Sequence, residues 1–582
     1  MLDNKSFRSI SYLIFGMFLL LFAALFRLQI LEGKKYNQIA ENNIVRIKVT
    51  FPVRGEIFDR KFRPIATNKP SFNLYITPGK IKDKAKVIEF VGSNFAMSSD
   101  EMRKLLYDNR FRLHQNILLI QNVPFEQMIR ISELLNYYPS LEFKTEAVRE
   151  YAYFNHFAGH LGRINEKEYQ ENKELGYTIN SYLGKTGLEK QYETILRGKN
   201  GYNVIQVDAS GKNLQFFKYN LDKPAENGAD LILSIDNDLQ NYIWEILPAD
   251  ARGAVVVMNA ENAEILAYVS KPAFDANIFS SNLSAEDWAK ISQDESKPLL
   301  DRVIHGTYPP GSTFKPVMAA LGLETNTILP DSKLADCQGG LKIGDRFFKC
   351  WWEKGHGKLN VTDALKMSCD VFFYDLSLKF SLPQIGEFTE QNMLTVKTGI
   401  DLPVERAGFF PTREWYLERF GKYAAIIGHK VNLAIGQGEI LTTPLQICAY
   451  YNALANDGIW KRPHLLKRTI SGEVNQFYQT SEQSLPVSAE NIALIQNALW
   501  KVVNERFGTG TAARVNGVKI FGKTGSSENH MGELTHSWFA GYAAGRDYKI
   551  SFVVFLENAG HGGSVSAPLA GKIISFYDGL KK

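Results

Sequence analysis

Ser312 and Lys315 stand three residues apart in the stretch "YPPGSTFKPVMAALGL". A serine beside an amine is a nucleophile with its base, provided the lysine is neutral when it takes the proton. Residues three apart share a helix face, so the two side chains can touch. Pro309, Pro310 and Gly311 predict a turn, and the apolar run after Lys315 predicts a buried helix. Pro316 is tolerated only in a helix's first turn, which puts Ser312 at or just before the N-terminus. The free amide groups there favour a developing negative charge. Taken alone, Ser-x-x-Lys is common, and an N-capping serine followed by a surface lysine is the plainer reading of the spacing.

Lys-Thr-Gly occurs at Lys185, Lys397 and Lys523, and one catalytic domain has use for one copy. Only Lys523 follows a strand-like run, "GVKIFGKTG", downstream of both Ser312 and the "SCD" of Ser368 to Asp370. The other two read as turns. The stretches "YPPGSTFKP", "KMSCDVFF" and "VKIFGKTGSSENHMGELTHSWFAGY", in that order, resemble the penicillin-binding proteins, membrane-anchored serine D,D-transpeptidases. "RGEIFDRKFRPIA" (Arg54 to Ala66) and "GKTGLEKQYETILRG" resemble boxes of the class B members, although Lys61-Phe62 stand where a small Asn-Gly-type turn is usual. "GQGEILTTPLQ" resembles a box late in the catalytic domain, and "WWEKGHGKLN" with the long serine motif is similar to the elongation type rather than the septal one.

The resemblance implies a role for each residue. Ser312 attacks the D-Ala-D-Ala carbonyl of a peptidoglycan stem peptide and forms an acyl-enzyme, with Lys315 as base. Ser368 relays the proton to the leaving D-Ala. Lys523 places positive charge near the substrate carboxylate and helps keep Lys315 neutral, while Thr524 hydrogen-bonds that carboxylate. The oxyanion lies between the amides of Ser312 and Ser526, donors that cost no reorganisation. Gly525 lets an edge strand approach the substrate closely. An amine from a neighbouring stem peptide then takes the acyl group; water in its place would give a carboxypeptidase side activity. β-Lactams acylate the same serine. Asp370 departs from the usual Asn, because an ionised carboxylate only accepts hydrogen bonds. Beside Lys315 it works against a neutral base, and it orients Lys315 or the substrate through water instead.

Catalysis of this kind needs no cofactor. Cys337, Cys350 and Cys369 nevertheless fall close together in sequence with His356. Outside the cytoplasm a Cys337–Cys350 disulfide is one reading. A tetrahedral Cys₃His zinc site pinning the insertion "DCQGGLKIGDRFFKCWWEKGHG" to the catalytic helix is the other, and relatives that carry a metal here favour it. Cys448 reads as buried.

The elements that must position these residues fill a chain of 582 residues, too long for one core. Its composition is globular, with 45% hydrophobic and 22% charged residues. A net charge of +5 from 67 basic and 62 acidic residues gives no reason to expect nucleic acid. The uncharged run "SISYLIFGMFLLLFAALF" (Ser9 to Phe26), flanked by Lys5, Arg8 and Arg27, is long enough as a helix, about 27 Å, to cross a bilayer. It exceeds a usual cleaved signal and lacks a small-x-small site, so it reads as an uncleaved anchor with its N-terminus inside. The expected location is the bacterial inner membrane, single-pass, with the catalytic domain in the periplasm.

Residues 1–27 are then tail and anchor, 28–225 a pedestal of strand-like runs and polar helices such as "EKEYQENKEL", and 226–582 the transpeptidase domain. Leu231 to Ile235 predicts a strand, Leu239 to Leu247 a helix, and "GAVVVMN" and "EILAYVS" around "AENA" a hairpin. Apolar β-rich sequence returns in "SWFAGYAAG" and "YKISFVVFLEN". Strands at both ends with helices between predict an α+β domain on an antiparallel sheet flanked by helices. By resemblance, the pedestal's partners are a polytopic SEDS-type glycosyltransferase and a rod-shape scaffold protein. A serine β-lactamase shares the Ser/Lys core, but the anchor, the long pedestal and the lack of an obvious deacylating carboxylate box oppose it. A catalytically silent wall-synthesis scaffold is opposed by the intact Ser312, Lys315 and Lys523.

Overall fold

The computed structural model describes residues 4–36, 45–111, 113, 116–152, 156–178, 181–206, 222–280, 283–421, 426–529 and 534–582. His530, Met531, Gly532 and Glu533 of the Lys-Thr-Gly motif lie outside them. The chain divides into two units, residues 1–54 with 197–228, and residues 55–196 with 229–582.

In the first unit, Asn4–Phe26 is an α-helix that continues as a wider turn over Arg27–Leu31. The stretch Ser9–Leu31 is long and apolar enough to cross a membrane, and none of it is buried. Val45–Thr50 pairs antiparallel with Gly201–Gln206.

The second unit holds two sheets of different construction. Five antiparallel strands run in the order Ile265–Lys271, Gly253–Asn259, Lys549–Leu556, His536–Ala544, Lys519–Ser527. The predicted hairpin at "AENA" is its first pair. Both faces of this sheet are covered. Val255, Val257, Phe552 and Val554 pack with the helices Asn237–Ile246 and Ser566–Lys581, while Ala254, Val256, Val553 and Phe555 pack with Lys315–Glu324 and Pro444–Ala455. Burial on both sides explains why "GAVVVMN" and "SFVVFL" are continuous apolar runs instead of alternating ones.

A mixed seven-stranded sheet runs in the order Val474–Phe477, Leu466–Ser471, Asp230–Leu233, Ile57–Phe58, Pro64–Ile76, Ile117–Val123, with Leu141–Tyr151 also on Pro64–Ile76. The strand predicted at Leu231 forms here and not in the catalytic sheet, pairing parallel with Ile57–Phe58 and antiparallel with Leu466–Ser471. A separate apolar core of Leu74, Val91, Met102, Leu119 and Ile131 closes the sheet's far end.

The turn after Asp59 forms without Asn-Gly. Phe62 takes φ 61°, and the buried Asp59 carboxylate accepts the N–H groups of Lys61 and Arg63, both at 2.8 Å. Two backbone bonds to one carboxylate offset the cost of a left-handed phenylalanine.

Candidate active site

The turn before Pro316 is a 3₁₀ turn, Gly311–Phe314, leading into the buried helix Lys315–Glu324. Pro316 therefore sits in the helix's first turn, where its missing N–H costs nothing. Gly311 takes φ 56°, and a Cβ there would lie 2.8 Å from Ser526 O. Glycine is what lets the serine turn and the Lys-Thr-Gly strand close on each other. Gly311 N–H also donates to Gly436 O at 2.8 Å, which brings in the "GQGE" loop. At Gly525 a Cβ would sit 3.0 Å from Pro310 O, Thr313 Cγ2 and Trp538 Cβ.

Lys315 is fully buried, and its Nζ donates to Asp370 Oδ1 at 2.7 Å, Ser368 O at 2.8 Å and Ser368 Oγ at 3.1 Å. Among the described residues none of its hydrogen bonds goes to Ser312, the one partly exposed residue of the otherwise buried turn one helical step away. Lys523, equally buried, donates to Ser368 Oγ at 2.8 Å and to Thr524 O at 3.0 Å. One hydroxyl thus bridges two amines. Burial, and then the charge of Lys315, push Lys523 well below the usual lysine range, with Asp370 pulling the other way. A lysine so placed gives up its proton far more readily than a free one.

Asp370, at the N-terminus of the helix Asp370–Leu378, binds Lys315 directly and not through water. Its Oδ2 accepts the backbone N–H of Trp351 at 2.9 Å. Thr524 Oγ1 pairs with Thr509 Oγ1 at 2.7 Å, and Gly562 N–H donates to Ser526 Oγ at 3.2 Å. Gln437 Nε2 donates to Ser526 O at 3.0 Å while its Oε1 accepts Glu528 N–H at 3.1 Å. Ser312, Lys315, Ser368, Asp370 and Lys523 to Ser526 converge on one place. Sequence reasoning missed Thr509, which carries no motif, and quoted Trp351 only as the start of "WWEKGHGKLN", with no role. It quoted Gln437 only as part of a box.

Lys185 ion-pairs with Glu168 at 2.5 Å, at the end of the strand Tyr182–Gly184. Lys397 is exposed in a turn where Thr398 and Gly399 N–H groups donate to Glu405 at 2.8 and 2.9 Å. Neither joins the cluster around Ser368.

All four cysteines are free thiols, so Cys337 and Cys350 form no disulfide. Ligand atoms of Cys337, Cys350, His356 and Cys369 all lie within 4.8 Å of one another. His356 Nδ1 is 3.6 Å from Cys337 Sγ and 3.5 Å from Cys350 Sγ. With Zn–S bonds of about 2.3 Å, the edges of a zinc tetrahedron are about 3.8 Å, so the donor set fits. A hydrogen bond from Cys369 pushes the Cys350 thiol down, with His356 adding to it, and Cys369 is pushed up in turn. Cys448 is buried against Val256 O, away from the cluster.

Residues 253–575 match the penicillin binding protein transpeptidase domain, and residues 49–233 the penicillin-binding protein dimerisation domain. The chain is 31% identical to the peptidoglycan D,D-transpeptidase MrdA of Haemophilus influenzae, over 96% of this chain and 89% of that one. The fold is similar to that of the Helicobacter pylori penicillin-binding protein PBP2 in its complex with MreC, at 26% identity and a TM-score of 0.80, covering 92% and 99% of the two chains. It is also similar to a chain of a peptidoglycan synthase complex that coordinates polymerisation and crosslinking, at 26% identity, a TM-score of 0.73, and 100% and 99% coverage.

Proposed function

The chain belongs to the penicillin-binding protein transpeptidases and is a serine peptidoglycan D,D-transpeptidase of cell-wall elongation, and from that premise we propose how its residues divide the work. The observation that carries the assignment is the Ser368 hydroxyl held by two buried lysines beside the Ser312 turn. Ser312 Oγ attacks the carbonyl carbon of the penultimate D-Ala, and its proton passes to Lys315. As the C–N bond breaks, the Ser368 hydroxyl gives its proton to the leaving D-Ala nitrogen and is refilled from Lys315. Asp370 holds the Lys315 amine on this path. The amides of Ser312 and Ser526 take the oxyanion, where fixed backbone donors stabilise charge best. Lys523 and Thr524 receive the donor's terminal carboxylate, and Gly525 keeps that edge close. An acceptor amine then attacks the ester carbonyl, its proton passes by way of Lys315 to Ser312 Oγ as the C–O bond breaks, and Ser312 is freed as its hydroxyl.

Residues 1–27 serve as the anchor, 28–225 as the pedestal and 226–582 as the catalytic domain, which faces the periplasm. The pedestal's partners are a rod-shape scaffold protein and a SEDS-type glycosyltransferase, consistent with the MreC and synthase complexes of similar proteins. A zinc ion held by Cys337, Cys350, His356 and Cys369 would supply structure and no chemistry; the close-set donors support it. Elemental analysis of the purified protein returning no zinc at full activity would remove it.

Fluorescent penicillin resolved on a gel tests the assignment. The wild-type chain takes up label and releases it slowly, and Ser312→Ala takes up none. Label persisting in Ser312→Ala would overturn the assignment.

A further inference from the structure

Ser368 has φ 55°, a left-handed conformation that only glycine adopts without strain. It is buried, and its backbone geometry decides where its hydroxyl points. The neighbouring insertion reaches over to hold that backbone. The indole Nε1–H of the half-exposed Trp351 donates to two consecutive carbonyls, Met367 O at 3.0 Å and Ser368 O at 3.1 Å. Ser368 O also accepts Lys315 Nζ at 2.8 Å, so both its lone pairs are used. Trp351 is itself fixed from two sides: its backbone N–H is on Asp370 Oδ2, and its ring packs against His356 with centroids 5.5 Å apart.

The geometry points to Trp351 as a positioning residue for proton delivery to the leaving group: its indole N–H clamps the strained Ser368 backbone so that Ser368 Oγ stays between Lys315 and Lys523. This rests on the reading of Ser368 as the proton relay. With the donor gone, Ser368 O keeps only Lys315, Met367 O loses its bond from the insertion, the 367–368 backbone relaxes, and Oγ leaves the line between the amines. The step that suffers is breakage of the C–N bond, in which the D-Ala nitrogen takes the Oγ proton and Oγ takes one from Lys315. A thiolate leaves without such help, so a thioester donor reports attack by Ser312 with that step bypassed.

The test compares one acyl group on two leaving groups, an acyl-D-alanyl-D-alanine peptide and the matching thioester, with the full-length chain in detergent. Trp351→Phe is expected to lower kcat for the peptide about tenfold, the order of one lost hydrogen bond, with the thioester changed less than about twofold. Incorporating benzothienylalanine at position 351 keeps the ring's shape and removes only the N–H, so it must give the same selectivity even if Trp351→Phe folds poorly. Trp352→Phe, which leaves both carbonyl bonds in place, is expected to show none. Ser368→Ala fixes the reference, with a larger peptide-selective loss. A peptide-selective Ser368→Ala beside equal or no losses at position 351 overturns the clamp alone. Equal losses on both donors in Ser368→Ala overturn the relay and the clamp together.

Discussion

Gly184–Gly187 and Gly522–Gly525 are the same four residues, Gly-Lys-Thr-Gly, in two settings. The second copy lies inside the strand Lys519–Ser527, paired along its length with His536–Ala544. The first ends the three-residue strand Tyr182–Gly184 and starts the helix Gly187–Gln191. Lys523 is buried with its nearest partner a hydroxyl that it shares with another amine, whereas Lys185 lies on its own carboxylate. Thr524 pairs with Thr509, and Thr186 with His160 at 3.0 Å. An identical tetrapeptide joins the candidate active site in one place, where the surrounding fold withholds a private counter-charge from its lysine. In the other place it only shapes a turn.

Removing the two amines should separate the copies most widely. Lys523→Ala is expected to slow acylation by labelled penicillin by about 10²- to 10³-fold, as loss of a preorganised hydrogen-bond donor at a reacting group does. Lys185→Ala should leave that rate within about twofold, and comparable losses from both would end the distinction. The glycines should rank the other way, in stability. Gly187 has φ 58°, and a Cβ would meet Gly159 N at 2.4 Å and Phe157 O at 2.5 Å, backbone that cannot step aside. Gly525→Ala meets its neighbours at 3.0 Å without the φ penalty. Gly187→Ala should cost about 3 kcal/mol and Gly525→Ala about 1 kcal/mol in chemical denaturation, while only the second cripples acylation.

How much of this was legible follows the same division between local and distant. The serine turn was readable because Pro309, Pro310 and Pro316 restrict backbone angles by themselves and Gly311 permits the turn between them. The hairpin at Ala260 was readable because two apolar runs flank four residues. The mixed sheet was not, since Ile57–Phe58 is two residues long and Leu231 finds its partner in Thr469. Only packing between remote segments specifies that pairing. Pro70 stands inside the long strand Pro64–Ile76, where a proline is unusual. It falls after the pairing with Ile57–Phe58 ends at Ala66 and before that with Ile117–Val123 begins at Phe72, where a missing N–H is tolerated. The candidate site residues that the structure brings together were picked out by their order along the chain. Thr509 was not, because one threonine carries no pattern until the fold sets it against a motif, and Trp351 was read only within "WWEKGHGKLN", with no role of its own.

His160 turns the first copy into a pH-dependent element that the second has no counterpart for. Burial, reinforced by Lys185, holds the ring down at about 4, with Glu189 opposing. An unfolded histidine titrates near 6.5, so the folded protein binds fewer protons in between. The stability it contributes is whole above 6.5 and is lost as the pH falls from 6.5 to 4, by about 3 kcal/mol in all. Denaturant titrations of wild type and His160→Phe should run parallel above that window and converge within it. Parallel curves down to pH 4 would mean the ring does not titrate there.

The smallest effect belongs to the first lysine, and it divides into two parts. Lys185 Nζ and Glu168 are each about one-quarter exposed, so their ion pair is worth about 0.5 kcal/mol. The stem does more, because Lys185 Cγ and Cε lie over Gly162, close enough that a Cβ there would meet both at 2.9 Å. Alkyl burial of that kind survives when the charge goes. Lys185→Met should therefore cost about 0.5 kcal/mol and Lys185→Ala about 1 kcal/mol more, neither changing acylation. Both variants should also relieve part of the pressure on His160, moving the upper end of the acid loss unchanged and the lower end toward higher pH. If Lys185→Met cost as much as Lys185→Ala, the amine and not the alkyl stem would be the working part of the first copy, and the contrast between the copies would shrink to one of degree.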